Sequence, residues 1–310
     1  MIATSKSITQ KVQFSYGKVG PFSFDVKRDD LIDPVISGNK WRKLKYNIEK
    51  ARSDKNTGVI TFGGAFSNHL IATAQAAYKF GLSSIGIVRG DELNSQSNET
   101  LRSCSKLEME LIFVSREEYR LRNSKDYIAN LHHEHPNNWL VPEGGANYYG
   151  AIGCQEILDD KTDRYDHIYV ASGTGTTASG ILSASQAHTQ VHAISVLKGD
   201  FLAEDIRKMM WSILSDDEAV DDIMHRLHLN TEMHFGGYGK TNESLFSLIR
   251  SFFDQTGIPL EPIYTGKALM ALINDIATGV VKQSDRVLFV HSGGLQGGKT
   301  FVSELPFLAD

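Results

Sequence analysis

The chain has little cysteine: Cys104 and Cys154 are the two cysteines among 310 residues. They lie far apart and in no paired motif, which excludes a disulfide framework and a cysteine-rich metal site and favours a reducing compartment. No run reaches the roughly 18 apolar residues that a membrane-spanning helix needs. The polar residues 1–13 lack the apolar core of a signal peptide. We therefore expect a cytoplasmic protein without a membrane partner.

The chain also lacks excess positive charge, since it has 32 lysines and arginines and 37 aspartates and glutamates, for a net charge of -5. This balance argues against a nucleic-acid partner. The composition is 41% hydrophobic and 22% charged, as in ordinary soluble enzymes. The length suits two lobes of roughly 100–200 residues each.

Short apolar segments alternate with helical segments of roughly 10–15 residues, which predicts parallel sheets with crossover helices. The clearest strands are expected at 58–62, 84–89, 111–115, 167–171, 191–197 and 286–290. Weaker strands are expected at 233–235 and 261–264, with a helical excursion over 201–229 and a helix from the loop after 172 to residue 190. The glycine-rich stretch 143–147 predicts a hinge, and so a small domain of 42–148 and a large domain of 1–41 with 149–310.

One segment, Ser37-Gly38-Asn39-Lys40-Trp41-Arg42-Lys43-Leu44, places a lysine after a flexible tripeptide at the start of a basic helix. A lysine amine becomes a useful nucleophile when burial or neighbouring cations lower its pKa. Arg42, Lys43 and Lys45 surround Lys40 in the sequence and could do so. A basic helix start in isolation is most often a solvated face.

A glycine- and threonine-rich loop, 172–180, follows the strand expected at 167–171. A strand, a glycine-rich turn and a helix start together form an anion site, so we expect a phosphate at Gly173, Thr174, Gly175, Thr176 and Thr177. The spacing Gly173-x-Gly175-x-x-Ala178 also satisfies the dinucleotide fingerprint, with Asp200 as the acidic ribose ligand. A nicotinamide-dependent oxidoreductase is thus an alternative, although the threonines and the late position suit a compact phosphate better.

Ligands bind beyond the carboxyl ends of parallel strands, so side chains just after the strands are the site candidates. Beside the glycine and threonine loop these are Ser67, Asn68, Tyr264, Thr265 and Ser292. His291 is either catalytic or a satisfied strand-end histidine. The run His132-His133-Glu134-His135 is more typical of a solvated helix end than of a metal site, and we expect no metal.

Several motifs occur in one order: 27–31, Gly38-Asn39-Lys40-x-Arg42-Lys43-Leu44, Gly63-Gly64-x-x-Ser67-Asn68-His69, Gly144-Gly145-x-Asn147, the glycine and threonine loop, Tyr238-Gly239, and Pro262-x-Tyr264-Thr265-Gly266-Lys267-Ala268. Over 27–294 the chain resembles the D-cysteine desulfhydrase and 1-aminocyclopropane-1-carboxylate deaminase family. That family consists of pyridoxal phosphate enzymes with the tryptophan synthase β-subunit fold (fold type II). The resemblance implies an α/β protein with two lobes, pyridoxal 5'-phosphate as cofactor, a small amino-acid substrate and a homodimer.

The resemblance also implies residue roles. Lys40 would hold the cofactor as a Schiff base and then move the α-proton, and Asn68 would bind the ring hydroxyl oxygen. Ser67, with Asn68 and His69, would receive the substrate, while Tyr238 and Tyr264 would flank it. The loop Gly173, Thr174, Gly175, Thr176 and Thr177 would hold the phosphate, and Thr265 and Ser292 would lie near the pyridine nitrogen.

The last two residues separate the branches of the family, because the deaminase branch carries a glutamate and a leucine where this chain has Thr265 and Ser292. A hydroxyl contributes no negative charge to keep the ring nitrogen protonated. Opening a cyclopropane needs that electron withdrawal more than elimination of a thiolate does. We therefore expect α,β-elimination, as in D-cysteine desulfhydrase, with 1-aminocyclopropane-1-carboxylate deaminase as the alternative. Phe66, Thr176 and the short 236–238 approach depart from the family pattern, which leaves the substrate open.

Overall fold

The computed structural model describes residue 2 and residues 4–36, 38–158 and 164–309; Ser37 of the lysine segment lies outside them. The strands are β1 (Thr9–Tyr16), β2 (Val19–Arg28), β3 (Gly58–Gly64), β4 (Ser83–Arg89), β5 (Met109–Val114), β6 (Asn138–Val141), β7 (His167–Ser172), β8 (Gln190–Ser195), β9 (Leu227–Asn230) and β10 (Val287–His291). The helices are α1 (Asn39–Ser53), α2 (Asn68–Phe80), α3 (Glu99–Lys106), α4 (Arg116–Arg120), α5 (Lys125–Glu134), α6 (Tyr148–Gln155), α7 (Thr176–Ala184), α8 (Phe201–Leu214), α9 (Asp217–Met224), α10 (Glu243–Thr256) and α11 (Thr265–Thr278).

Six strands form the larger sheet, in the order β1-β2-β10-β7-β8-β9. All its neighbours are parallel except the β1–β2 hairpin. Helices cover both faces, so successive residues of a central strand enter opposite cores. In β7, Tyr169 packs into one core with α10 and α11, while Ile168 and Val170 pack into the other with α7 and α8. This two-sided burial explains why β7 is a continuous apolar run in the sequence.

The smaller sheet has four parallel strands in the order β5-β4-β3-β6. Helix α2 crosses from β3 to β4; it begins after Ser67, whose hydroxyl accepts from the Leu70 N–H, and ends at Gly81 with φ +69°. These are the serine cap and left-handed glycine end that helices prefer. The predicted α/β architecture with two mainly parallel sheets is thereby confirmed. The predicted division into 42–148 and 1–41 with 149–310 stays a prediction.

Three local predictions were wrong. Residues 261–264 form a turn that leads into α11, because the Glu261 carboxylate accepts the N–H groups of Ile263, Tyr264 and Thr265. Residues 233–235 lie in turns, since Phe235 has a φ of +53°, which an extended strand cannot contain. Helix α7 ends at Ala184 rather than at residue 190. The mostly helical stretch expected at 201–229 is confirmed by α8 and α9, with the edge strand β9 at its end.

A buried ion pair joins α1 to the end of β2. The Arg42 guanidinium donates to both carboxylate oxygens of Asp29, at 2.9 and 2.8 Å, and also to the Glu156 carbonyl at 2.7 Å. The side chains of Arg42 and Asp29 are 3% and 0% exposed. The bidentate geometry holds α1 at a fixed position beside the larger sheet.

Removing one member of this pair leaves a buried charge without its partner. We expect Asp29→Ala to cost about 3–5 kcal/mol of the free energy of unfolding, and so to lower the thermal midpoint by roughly 5–15 °C. Differential scanning calorimetry of the cofactor-free protein measures the change. The control is Asp54→Ala, because the Lys50–Asp54 pair is solvent-exposed and contributes little to stability. Equal shifts for the two variants would contradict the assignment.

Candidate active site

The start of α1 is attached to the carboxyl end of β10. Gly38 has a φ of +60°, and a Cβ there would lie 1.9 Å from the Ser292 carbonyl oxygen, so no other residue fits. The Asn39 N–H donates to that same oxygen at 3.0 Å. These two contacts place the next residue, Lys40, at the edge of the sheet where ligands bind.

The Lys40 amine donates to the Asn39 side-chain oxygen at 2.8 Å, and the Asn39 amide donates to the Thr177 hydroxyl at 3.0 Å. Burial, and then the charge of Lys43, lower the pKa of Lys40 to about 7. Much of the amine is therefore neutral near pH 7, as a nucleophilic lysine requires.

The other two cations expected to act on Lys40 are neutralised elsewhere. Arg42 is paired with Asp29, and Lys45 is paired with Glu156 at 2.6 Å. The expected lowering of the pKa of Lys40 is confirmed, and of its three basic neighbours Lys43 contributes to it. The two carboxylates, Asp29 and Glu156, lie outside the lysine segment, so the sequence around Lys40 does not predict these pairs.

Lys43 is a site residue that the sequence reasoning did not assign. It is 5% exposed, and burial lowers its pKa. In the described part of the chain, the group that favours its charged form is the thiol of Cys154 rather than a carboxylate. A buried ammonium without an anionic partner is unfavourable by itself, which makes it a suitable place for a bound anion. Its stem lies against Gly145, where a Cβ would be 2.9 Å from the Lys43 Cβ.

The predicted anion loop lies at the start of α7. Gly175 precedes the helix with a φ of +74°, and a Cβ there would lie 2.6 Å from Ile206. The hydroxyls of Thr174 and Thr176 are 3.0 Å apart. The first N–H groups of a helix have no partner within it, so the loop presents peptide N–H groups and hydroxyls together, as an anion site requires.

Helix α2 brings its start to the site from the smaller sheet. The Ser67 oxygen accepts from the Leu70 N–H at 3.2 Å, which leaves its hydroxyl proton for a ligand. The Asn68 amide nitrogen lies 3.2 Å from where a Cβ of Gly294 would be. The site is thus built from both sheets. Phe66, beside them, is 61% exposed.

His69 is buried and neutral. The Thr61 hydroxyl donates to the Val141 carbonyl at 2.8 Å, so it accepts from the Nε2–H of His69 at 3.0 Å. Burial, followed by the charges of Lys40 and Lys43, lowers the pKa of His69 well below its ordinary value. The expected contact between His69 and substrate stays a prediction.

Two tyrosines face each other on the other side of the loop. The rings of Tyr238 and Tyr264 are 6.0 Å apart at an angle of 71°, and Tyr264 lies 3.8 Å from the Cβ position of Gly173. Burial, and then Tyr238, raise the pKa of Tyr264 well above its ordinary value. Both phenols are therefore neutral and able to donate hydrogen bonds.

Thr265 and Ser292 differ in how their hydroxyls are used. The Thr265 oxygen accepts from the Glu261 N–H at 3.1 Å and lies 3.0 Å from the Glu261 carboxylate, to which it donates. Thr265 is 0% exposed, whereas Ser292 is 6% exposed. The Thr265 hydroxyl is thus engaged in the start of α11.

His291 is a satisfied strand-end histidine. Its Nε2 donates to the Pro259 carbonyl at 2.7 Å, and its Nδ1 accepts from the Gly293 N–H at 3.2 Å. Among the residues that the structure describes, no group of three His, Cys, Asp or Glu side chains could hold a metal ion. No helix of the described residues is long and apolar enough to span a membrane.

Comparison with known proteins identifies the chemistry that this geometry serves. Residues 18–293 match the family model described as "Pyridoxal-phosphate dependent enzyme". The chain belongs to this family. A Pyrococcus horikoshii protein, provisionally named 1-aminocyclopropane-1-carboxylate deaminase, is 31% identical over 88% of this chain and 84% of its own. The bifunctional D-cysteine desulfhydrase/1-aminocyclopropane-1-carboxylate deaminase of Arabidopsis thaliana, a mitochondrial protein, is 29% identical over 88% of this chain and 72% of its own.

The crystal structure of a homologue of 1-aminocyclopropane-1-carboxylate deaminase superposes with a TM-score of 0.76 at 26% identity, over 93% of this chain and 89% of that one. The predicted type II fold and the predicted cofactor are thereby confirmed, and the nicotinamide alternative was wrong. The site fits the cofactor: Lys40 is buried with a pKa of about 7, Lys43 is a buried cation without an anion, and α7 offers a cradle for a phosphate.

The pKa of Lys40 can be tested without the cofactor. In the cofactor-free protein carrying ¹³C-methylated lysines, NMR titration should give Lys40 a pKa of about 7, because burial lowers it. Lys43→Met should raise this pKa, because it removes the cation that lowers it. Lys45→Met is the matched control and should leave the pKa unchanged, since Glu156 neutralises that charge. An ordinary lysine pKa for Lys40 would contradict the assignment.

Proposed function

We propose that the protein catalyses α,β-elimination on a small amino acid, with D-cysteine as the leading substrate. The reaction consumes water and gives pyruvate, ammonia and hydrogen sulfide. The observation that carries this proposal is the Lys40 amine, with its pKa near 7, held between an anion cradle and a second buried lysine. The names of the relatives add support, because they include both a D-cysteine desulfhydrase and a deaminase.

The cofactor phosphate would be held by the loop Gly173, Thr174, Gly175, Thr176 and Thr177, and by the Lys43 ammonium. Helix dipole, hydroxyls and cation all favour an anion at this place. Asn68 would bind the ring oxygen, and Lys40 would attach to the cofactor covalently. Pyridoxal phosphate, when bound, supplies an electron sink that makes the α-proton of an amino acid removable.

Lys40 would then serve as the base that takes the α-proton. A base works best when its pKa lies near the working pH, which burial and the Lys43 charge achieve here. The Asn39 oxygen accepts from this amine at 2.8 Å, so the amine keeps a defined position when substrate displaces it from the cofactor. Asn39 is itself held by Thr177 and Ser292.

Ser67 would bind the substrate carboxylate at the start of α2, where its hydroxyl proton and the first peptide N–H groups point outward. Tyr238 and Tyr264 would face the leaving group from the opposite side. As neutral phenols, they can donate a hydrogen bond to a departing thiolate.

Elimination is favoured over opening of a cyclopropane by the groups available near the ring nitrogen. Thr265 donates its proton to Glu261, and the carboxylate of Glu261 accepts the N–H groups that begin α11. Ser292 therefore remains as the candidate partner of the ring nitrogen. A serine hydroxyl adds no negative charge, so it stabilises a protonated ring less than a carboxylate does. We also propose a cytoplasmic homodimer: the family resemblance supports the dimer, and the unpaired cysteines Cys104 and Cys154 support a reducing compartment.

Attachment of the cofactor can be seen directly. The purified protein should show a visible absorption band, and borohydride reduction should fix the cofactor on the chain, at Lys40 by peptide mapping. Lys40→Ala should lose both properties because no neutral amine remains there to attach. Lys45→Ala, paired with Glu156 away from the site, is the control and should keep them. A reduced cofactor on Lys43, or a protein that takes up no pyridoxal phosphate, would refute the role of Lys40.

The choice of reaction follows from a comparison of substrates. We expect kcat/KM for release of hydrogen sulfide from D-cysteine to exceed that for release of 2-oxobutanoate from 1-aminocyclopropane-1-carboxylate by at least about tenfold. L-Cysteine, measured in parallel, reports stereochemical preference. Ring opening at an equal or greater rate would instead assign the deaminase reaction.

A further inference from the structure

The segment that carries Tyr238 is rich in glycine. Residues 231–242 connect β9 to α10 without a helix or strand. Gly236, Gly237 and Gly239 have φ values of +100°, +142° and +70°, and a Cβ at any of them would meet no atom within 4 Å. The glycines thus allow many backbone conformations, and their surroundings do not select one of them.

Two consecutive turns shape this segment. The Gly237 N–H donates to the His234 carbonyl at 3.0 Å, and the Lys240 N–H donates to the Gly237 carbonyl at 3.2 Å. Tyr238 is the second residue of the second turn. The first turn contains Phe235 with a φ of +53°, which is a backbone outlier for a bulky residue and persists where the surrounding structure enforces it.

Lys267 contacts both turns. It lies on α11 and is 0% exposed. Its ammonium donates to the His234 carbonyl at 3.2 Å and to the Gly237 carbonyl at 3.4 Å, and it lies 5.8 Å from the centre of the Phe235 ring. These two carbonyls are the acceptors of the two turn hydrogen bonds, so one ammonium joins the two turns.

The same helix also positions the second tyrosine. Tyr264 immediately precedes α11, and Lys267 follows it by three residues, about one helical turn. Because Lys267 holds the Tyr238 segment to this helix, α11 acts on both sides of the 6.0 Å distance between the two tyrosine rings.

We propose that Lys267 is a positioning residue for Tyr238: its ammonium binds the carbonyls of both turns and keeps the Tyr238 phenol opposite Tyr264 at the site. The effect on catalysis rests on the proposed elimination, whereas the effect on the segment does not. Burial lowers the pKa of Lys267 to about 8, while Glu261 raises it. A neutral amine still has two protons to donate, so both carbonyl contacts survive its deprotonation.

The structural test is hydrogen exchange of the backbone amides of 234–240 in the protein without substrate. Lys267→Met keeps the apolar stem and removes the donors, so these amides should exchange faster while those of β7 keep their protection. Lys267→Gln retains an amide donor and should recover part of the protection. Lys282→Met, at an exposed lysine after the same helix, is the matched control. Unchanged exchange in Lys267→Met overturns the proposal.

The functional test is a double-mutant cycle with Tyr238→Phe. Lys267→Met alone should lower kcat/KM for elimination by about 10²-fold, as a misplacement of about 1 Å can. In the Tyr238→Phe background the same change should have little further effect, because the phenol that Lys267 positions is already absent. Losses that multiply would show that Lys267 acts on stability generally and would overturn the proposal. If wild type carries out no elimination, the proposed function fails, and hydrogen exchange still decides the role of Lys267.

Discussion

Asn39 makes the contacts on which the site depends. Its N–H binds the Ser292 carbonyl at the end of β10, its amide binds the Thr177 hydroxyl at the start of α7, and its side-chain oxygen accepts from Lys40. The lysine, the phosphate cradle and the last strand are therefore fixed relative to one another by three hydrogen bonds from one residue. Gly38 allows this arrangement, because a side chain there would overlap the Ser292 carbonyl. Gly38 before the lysine thus serves close packing rather than mobility.

The electrostatics of the site follow from the way in which its charges are paired. Arg42 and Lys45 have carboxylate partners and serve structure. Lys40 and Lys43 are buried: burial and then the charge of Lys43 lower the pKa of Lys40, and burial lowers the pKa of Lys43. Glu261 is close enough to raise the pKa of Lys40. Its oxygens are nevertheless occupied by the N–H groups at the start of α11. The site therefore combines an excess of positive charge with neutral hydroxyls and phenols, which suits an anionic cofactor and an anionic substrate.

Sequence reasoning recovered what depends on local pattern. Alternating strands and helices predicted two parallel sheets, and the glycine and threonine loop was correctly placed between β7 and α7. It failed where particular side-chain contacts decide the structure. The stretch 261–264 contains isoleucine and tyrosine and was taken for a strand, but the Glu261 carboxylate makes it a helix start. Lys45 was expected to act on Lys40, but its partner Glu156 is 111 residues away. Lys43 was not assigned to the site, because its lack of a carboxylate partner depends on the fold and is not visible in the local sequence.

The motif that begins with Tyr264 contacts several different parts of the site. In Tyr264-Thr265-Gly266-Lys267, Tyr264 lies against Gly173, Thr265 bonds to Glu261, and Gly266 leaves no room for a Cβ beside Ile249, at 2.4 Å. Lys267 then reaches a segment about 30 residues earlier in the chain. Each residue of the motif therefore fixes a different neighbour of the site, and a single helix start aligns them all. The glycine-rich segment that carries the Tyr238 phenol is held to α11 through Lys267.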